Sequence, residues 1–157
     1  YSYLDTKRDY LNYPQAIQPN FAANHTASFV IKKFITKWKT GFNGAYTFAT
    51  GRPYYDIRRI NGNNKFTIAD QGKTIAYNNL SFSVNYLPSI GKKTKNFMVW
   101  VASVNNVLGS KQVFNYNYSY NGLRKEAINP PAPRFFFFGC FMSFGVDRSQ
   151  DVINSNL

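Results

Sequence analysis

The sequence predicts an all-β fold, an antiparallel up-and-down meander of about six strands that forms part of a large transmembrane β-barrel. First, several segments alternate apolar residues with small or polar ones, which is typical of a strand with two different faces. Second, the 157 residues contain no apolar run long enough for a transmembrane helix, which needs about 18 such residues. Third, the connections between the predicted strands alternate between long and short.

The clearest segment is 134–147, which reads RFFFFGCFMSFGVD. From its third residue onward every second position is apolar, and the intervening positions become small or polar toward the end of the segment. A strand needs roughly 9–11 residues to cross a bilayer, and this segment is long enough. It therefore predicts an outer-membrane strand with lipid on one face and a polar lumen on the other. The predicted lipid-facing residues are Phe136, Phe138, Met142 and Phe144.

Two further segments, 38–50 and 77–87, alternate in the same way. Bulky apolar side chains occupy most of their even positions, and small or polar side chains occupy most of their odd positions. Because successive strand residues point to opposite faces, the even positions are predicted to face lipid. These predicted lipid-facing residues are Phe42, Tyr46, Phe48, Leu80, Phe82 and Val84.

Three more predicted strands complete the meander. In transmembrane barrels of this kind the outer loops are long and the periplasmic turns are short. The alternation of connections therefore predicts a bacterial outer-membrane location, with three long loops outside and Leu157 on the periplasmic side. The remaining strands are predicted at about 1–7, 25–36 and 96–108, and the long loops at 8–24, 51–76 and 109–133.

The composition bears on several classes of function. Nineteen Lys and Arg residues against seven acids give a net charge of +12, which usually indicates nucleic-acid or anionic-membrane partners. Here the basic residues concentrate near strand ends, which favours solvated turn charge at a barrel rim. The single histidine, His25, excludes a histidine cluster for a metal, and the single cysteine, Cys140, excludes an internal disulfide. Paired carboxylates and phosphate-binding loops are missing too, so we expect neither an enzyme nor a cofactor.

The predicted outer loops contain the candidates for ligand contact. Tyr and Arg side chains gather in the second and third of them. These residue types are enriched at binding hot spots, and they can stack on rings or bind carboxylate and phosphate groups. The candidates are Arg52, Tyr54, Tyr55, Arg58, Arg59, Tyr116, Tyr118, Tyr120 and Arg124, with Lys125 beside them.

Six segments, spread over nearly the whole chain, carry a family resemblance in their order and spacing. They are SYLDTKRDY (2–10), HTASFVIKKF (25–34), ATGRPYY (49–55), LSFSVNYLP (80–88), SVNNVLG (103–109) and RFFFFGCFMSFGVDR (134–148). Together they resemble the C-terminal end of the barrel of TonB-dependent outer-membrane receptors, in the form found in Bacteroidetes. One feature departs from the common pattern, because the tail DRSQDVINSNL continues past Phe144 instead of ending on an aromatic residue.

The resemblance implies a barrel of about 22 strands, plugged by an N-terminal domain expected upstream of this chain. Such a receptor imports a scarce nutrient, whether siderophore, cobalamin, glycan or peptide, with energy delivered by TonB. The implied partners are outer-membrane lipid and lipopolysaccharide, TonB through the N-terminal region, and a small nutrient ligand. A surface lipoprotein that caps the barrel is a further partner that the resemblance leaves open.

Two alternatives to the transporter stay open from the sequence. A barrel without energy coupling, such as a porin or an adhesin, would share the same strand pattern but lack the plug. A basic soluble β-domain that binds nucleic acid would explain the charge and the interleaved aromatic residues. This last class does not explain the long apolar face of segment 134–147, so we expect no nucleic-acid partner.

Overall fold

The computed structural model describes residues 1–11, 13–60, 65–91 and 96–145, together with Asp151 and Asn154. None of the helical segments within these residues is long and apolar enough to span a membrane. The described residues form ten strands and one 3-10 helix, Thr36–Trp38. The strands are β1 Ser2–Tyr3, β2 His25–Ile35, β3 Thr40–Ala49, β4 Pro53–Arg59, β5 Phe66–Lys73, β6 Tyr77–Tyr86, β7 Asn96–Asn105, β8 Asn115–Tyr118, β9 Lys125–Ile128 and β10 Phe135–Phe144.

Six of the strands form one sheet in the order β1-β2-β3-β6-β7-β10, and the pairs β1–β2, β6–β7 and β7–β10 are antiparallel. The predicted all-β class and six-stranded antiparallel sheet are therefore confirmed. The chain divides into two compact units. Unit 1 contains Tyr1–Ala27, Thr47–Asn78 and Lys111–Pro131, and unit 2 contains Ser28–Tyr46, Asn79–Ser110 and Ala132–Leu157.

The boundaries of several predicted strands are corrected. The first strand covers only Ser2–Tyr3 instead of 1–7, because the chain then turns to form a bridge between Arg8 and Ile17. The strand predicted from 38 begins at Thr40, because Lys39 has a φ of 53° after the 3-10 helix.

The ends of the last two sheet strands also differ from the prediction. Strand β7 ends at Asn105 instead of 108, because Asn106 adopts a φ of 52° and leaves the extended conformation. Strand β10 ends at Phe144, followed by Gly145 with a φ of 80°. The last two predicted residues of that strand, 146 and 147, lie outside the described residues. The shorter strands leave the order of the sheet unchanged.

The second and third predicted loops are corrected as well, because each contains an antiparallel hairpin. Strands β4 and β5 pair from Pro53↔Lys73 onward with an irregularity after Asp56, and strands β8 and β9 pair from Asn115 to Tyr118. Their Tyr, Asn and charged residues lack a clean apolar face, so hydrophobic periodicity did not reveal them. Because the register of each hairpin is fixed, the side chains on each face of a hairpin lie in defined rows.

In unit 2 the register places apolar residues of β6, β7 and β10 in rows on one face. Phe82 and Phe136 both lie opposite Val104, and Val84 and Phe138 both lie opposite Ala102. The rings of Phe138 and Trp100 stack at 5.6 Å. Because Phe136 is 73% exposed and Phe138 72%, this apolar face has no covering layer among the described residues. The even-numbered residues of these strands were predicted to share one face, and the register agrees with that prediction.

The opposite face of the same strands is polar at one end and apolar at the other. Ser81 donates to Asn105 and Asn43 donates to Ser83, at 2.5 Å and 3.2 Å. Toward the short connection, an apolar cluster surrounds the fully buried Leu87. At this end the face opposite the predicted lipid face is therefore apolar, because the turn after β6 folds its own apolar side chains onto the sheet. The cluster consists of Phe34, Leu87, Ile90, Phe97 and Val99.

Candidate functional site

The two hairpins of unit 1 bring five side chains together, which we call the tyrosine–lysine cluster. Strand β4 contributes one tyrosine, β5 an aspartate, β8 two tyrosines and β9 a lysine. The two tyrosines of β8 are two residues apart and so share a face of that strand, and one of them pairs directly with the lysine. The cluster consists of Tyr54, Asp70, Tyr116, Tyr118 and Lys125.

The Lys125 ammonium lies at the centre of the cluster. Its Nζ donates to the Tyr54 hydroxyl at 2.7 Å and to Asp70 Oδ2 at 2.9 Å. The Tyr118 hydroxyl donates to the same carboxylate oxygen at 2.5 Å. The Nζ atom also lies 3.9, 4.6 and 5.6 Å from the ring centroids of Tyr54, Tyr116 and Tyr118. These distances are within the range of cation–π attraction, so hydrogen bonds and ring faces together fix the lysine.

The protonation states of the cluster follow from these contacts. Burial, and then the hydrogen bond to Asp70, raises the pKa of Tyr118 to about 12. The hydrogen bonds from Tyr118 and Lys125 lower the pKa of Asp70. Burial opposes the charge on Lys125, but hydrogen bonds with Tyr54, Asp70 and Tyr118 outweigh it and raise the pKa of Lys125. At neutral pH the Lys125 ammonium therefore lies beside the Asp70 carboxylate and the neutral Tyr118 phenol, which suits fixed positioning of these side chains.

A second contact in unit 1 involves Arg58. Its guanidinium forms an ion pair with Asp56, with Nε donating at 2.7 Å, and Nη1 donates to the carbonyl oxygen of Asn121 at 3.2 Å. Asn121 lies in the turn between β8 and β9, which the hydrogen bond from Gly122 N–H to Ser119 oxygen closes at 2.8 Å. Arg58 thus anchors one hairpin on the turn of the other, and its donors are engaged within the protein.

The structure separates the predicted ligand-contact residues into groups. It brings Tyr54, Tyr116 and Tyr118 together, and it gives Arg58 an anchoring contact. Tyr55 instead packs edge-on against Tyr13, with ring centroids 6.4 Å apart, and burial raises the pKa of Tyr55. The rest are exposed, and they do not join the cluster. They are Arg52, Arg59, Tyr120 and Arg124.

Sequence reasoning missed Asp70, the acceptor that organises the cluster. The signal was weak, because the apolar alternation of segment 66–73, FTIADQGK, stops after Ile68. Recognising that hairpin would have placed the aspartate opposite β4. Thr74, which follows β5 and is buried, was missed for the same reason.

No protein-family model matches the chain, and no curated protein and no solved structure matches it. The residues that the structure describes include no group of three or more His, Cys, Asp or Glu side chains suited to a metal ion. The family resemblance therefore rests on the six sequence segments, and function has to be argued from the faces of the sheet and the two hairpins.

Proposed function

We propose that this chain is the C-terminal part of the barrel of an outer-membrane TonB-dependent receptor that imports a scarce nutrient. In this proposal the six-stranded sheet forms part of the barrel wall, and the two hairpins belong to the extracellular loops. The observation that carries the proposal is the exposed apolar face shared by β6, β7 and β10. The family name and the energy coupling come from the resemblance of the six segments.

The exposed apolar face supports a lipid environment. Water-soluble proteins rarely expose large contiguous apolar patches, because each buried Å² of such surface stabilises by about 25 cal/mol. Here Phe82, Trp100, Phe136, Phe138 and Met142 are each exposed by at least 37%. Lipid chains would cover these side chains, while the serines and asparagines of the other face would line a lumen.

The edges of the sheet support membership in a larger barrel. Strands β1 and β10 lie at the two ends of the sheet order. In hydrocarbon each backbone group without a hydrogen-bond partner costs several kcal/mol, and only a closed barrel removes both edges. Further strands would therefore continue the sheet, in agreement with the roughly 22 strands that the resemblance implies.

A pair of adjacent residues in β7 provides a sharp test of membrane location. In the structure Ala102 is exposed and Ser103 is half-buried, so a water-soluble protein would react faster at position 102. In a membrane the order reverses, because Ala102 shares its face with Phe138 and Ser103 shares its face with Phe137. We therefore introduce Ala102→Cys or Ser103→Cys into the full-length protein and remove the native thiol by Cys140→Ala.

Each variant is treated with a small charged thiol reagent in intact outer membranes and again after denaturation. We expect strong labelling at position 103 and weak labelling at position 102. Faster labelling at position 102 would contradict the lipid-facing assignment. The second test is uptake: cells with the receptor but without TonB should fail to grow on the scarce nutrient. Growth independent of TonB would favour the porin alternative.

A further inference from the structure

A cavity in unit 1, separate from the tyrosine–lysine cluster, is lined by residues of three segments. Arg52 precedes β4, Thr74 follows β5, and Val113 and Phe114 precede β8. Its volume is about 280 Å³, the volume of about nine water molecules at about 30 Å³ each. This lies just below the usual range for ligand pockets, so the ligand would be small.

The cavity combines an apolar wall with one positive charge. Ile75, Val113 and Phe114 supply apolar surface, and Val113 is itself buried. Among the described residues that line the cavity, only Arg52 carries a charge. An apolar cavity with a few convergent polar groups is the usual form of a small-molecule site.

The polar groups of the cavity have donor capacity left. Thr74 Oγ1 accepts a hydrogen bond from the backbone N–H of Arg52 at 3.0 Å, which leaves the hydroxyl hydrogen to donate. No residue in the described part of the chain accepts a hydrogen bond from the Arg52 guanidinium. By contrast, Thr50 both accepts from and donates to the backbone of His25. The Arg52 guanidinium and the Thr74 hydroxyl therefore provide a planar fork and one further donor, which suit the two oxygens of a carboxylate.

The backbone beside the cavity is closely packed. Arg52 and Thr74 exchange a second hydrogen bond, from Thr74 N–H to Arg52 oxygen at 2.8 Å. A Cβ atom on Gly51 would lie 1.9 Å from the Thr74 carbonyl oxygen, so only glycine permits this approach. The backbone from which the Arg52 and Thr74 side chains extend is thus fixed by contacts that do not depend on a ligand.

We propose that this cavity binds a small monocarboxylate whose body is apolar or aromatic. The inference rests on the proposed function only where it takes this anion as the carboxylate-bearing part of the imported nutrient. The guanidinium binds the carboxylate through both oxygens, Thr74 donates a further hydrogen bond, and the apolar wall covers the body. An inorganic anion leaves that wall uncovered and binds more weakly.

The test is equilibrium binding to the full-length protein purified in detergent, measured by calorimetry. The probes are 3-phenylpropionate, its neutral amide and inorganic phosphate. We expect 3-phenylpropionate to bind with a Kd of about 1 mM or tighter, and the other two to bind much more weakly. Arg52→Gln should weaken the binding of 3-phenylpropionate by about tenfold or more, since charged hydrogen bonds to the carboxylate are lost. Arg52→Lys, which retains the positive charge but not the planar fork of donors, should lose less affinity for 3-phenylpropionate than Arg52→Gln.

Arg124→Gln is the matched control, because Arg124 is an exposed arginine of the same unit that does not line the cavity. It should bind like the unmodified protein. The proposal is overturned if 3-phenylpropionate does not bind, if the amide or phosphate binds equally well, or if Arg52→Gln has no effect. Because this assay needs neither membrane nor TonB, its failure is distinguishable from failure of the thiol labelling or of the uptake experiment.

Discussion

Replacing Gly122 by alanine should loosen the turn between β8 and β9 in a way that depends on Arg58. Gly122 has a φ of 70°, and an added Cβ would lie 1.4 Å from Arg58 Nη2. The left-handed backbone costs a non-glycine residue about 1 to 2 kcal/mol. Displacing the guanidinium from the carbonyl oxygen of Asn121 costs about 1 kcal/mol more, because one hydrogen bond is lost. The total is about 2 to 3 kcal/mol.

Local hydrogen exchange followed by mass spectrometry measures this cost, because the turn amides of Ser119, Gly122 and Arg124 are hydrogen-bonded. Gly122→Ala should raise their opening constant by roughly 30- to 150-fold. In an Arg58→Ala background the same substitution should cost only the backbone part, about 1 to 2 kcal/mol. This double-mutant cycle isolates the contact between the two side chains.

Gly91→Ala provides a further control, since Gly91 has a φ of 76° and no atom of the described residues lies within 4 Å of the added Cβ. The free energy by which Gly91→Ala favours opening at the neighbouring Ile90 amide should equal the cost of the left-handed backbone alone, about 1 to 2 kcal/mol. Equal costs for Gly122→Ala in both backgrounds would refute the reasoning, because Arg58 could then not be packed against this turn.

Three other predictions concern the fold, the cluster and the membrane. Asn106→Ala should cost about 3 kcal/mol in urea unfolding, because the buried side chain makes three hydrogen bonds to Ser110 and Pro133; a loss below 1 kcal/mol would contradict this. The folded-state pKa of Tyr118, about 12, lies above its ordinary value of 10.0, so the stability that the protonated Tyr118 hydroxyl contributes to the fold is complete below about pH 10 and is lost as the pH rises through 12. The tyrosinate absorbance difference between the unmodified protein and Tyr118→Phe should titrate near 12. A midpoint near 10 would argue against the hydrogen bond from Tyr118 to Asp70. Ala102→Arg should reduce membrane insertion by about 2–4 kcal/mol, whereas Ser103→Arg should have little effect; equal insertion yields of the two variants would exclude the assigned faces.

The sequence was sufficient for the sheet because its strands follow a simple physical pattern. Alternation from Phe136 onward, and in the segments around Phe82, reflects a sheet with two different faces. The register that pairs both residues with Val104 agrees with that alternation. Predicted strand ends were less accurate, because single residues such as Lys39 and Asn106 leave the extended conformation.

The candidate site was only partly predictable. Tyr54, Tyr116 and Tyr118 were selected by residue type, but their meeting point depends on the pairing of two hairpins. Polar strands carry little periodic signal, so neither hairpin was predicted and Asp70 was missed. Arg58 was also selected by residue type, but its guanidinium donates to the carbonyl oxygen of Asn121 in the turn and so has a structural contact within the protein.

The four consecutive phenylalanines of β10, 135–138, carry almost no information about their own alignment. A slip of one residue would exchange the two faces of the strand, yet most of the β7 residues opposite this run would still face a phenylalanine. The alignment must therefore be specified at the ends of the run. Arg134, whose Nε donates to the carbonyl oxygen of Val107 at 3.1 Å, attaches the start of the strand at one point. This arginine therefore helps to set the register in which β10 pairs with β7.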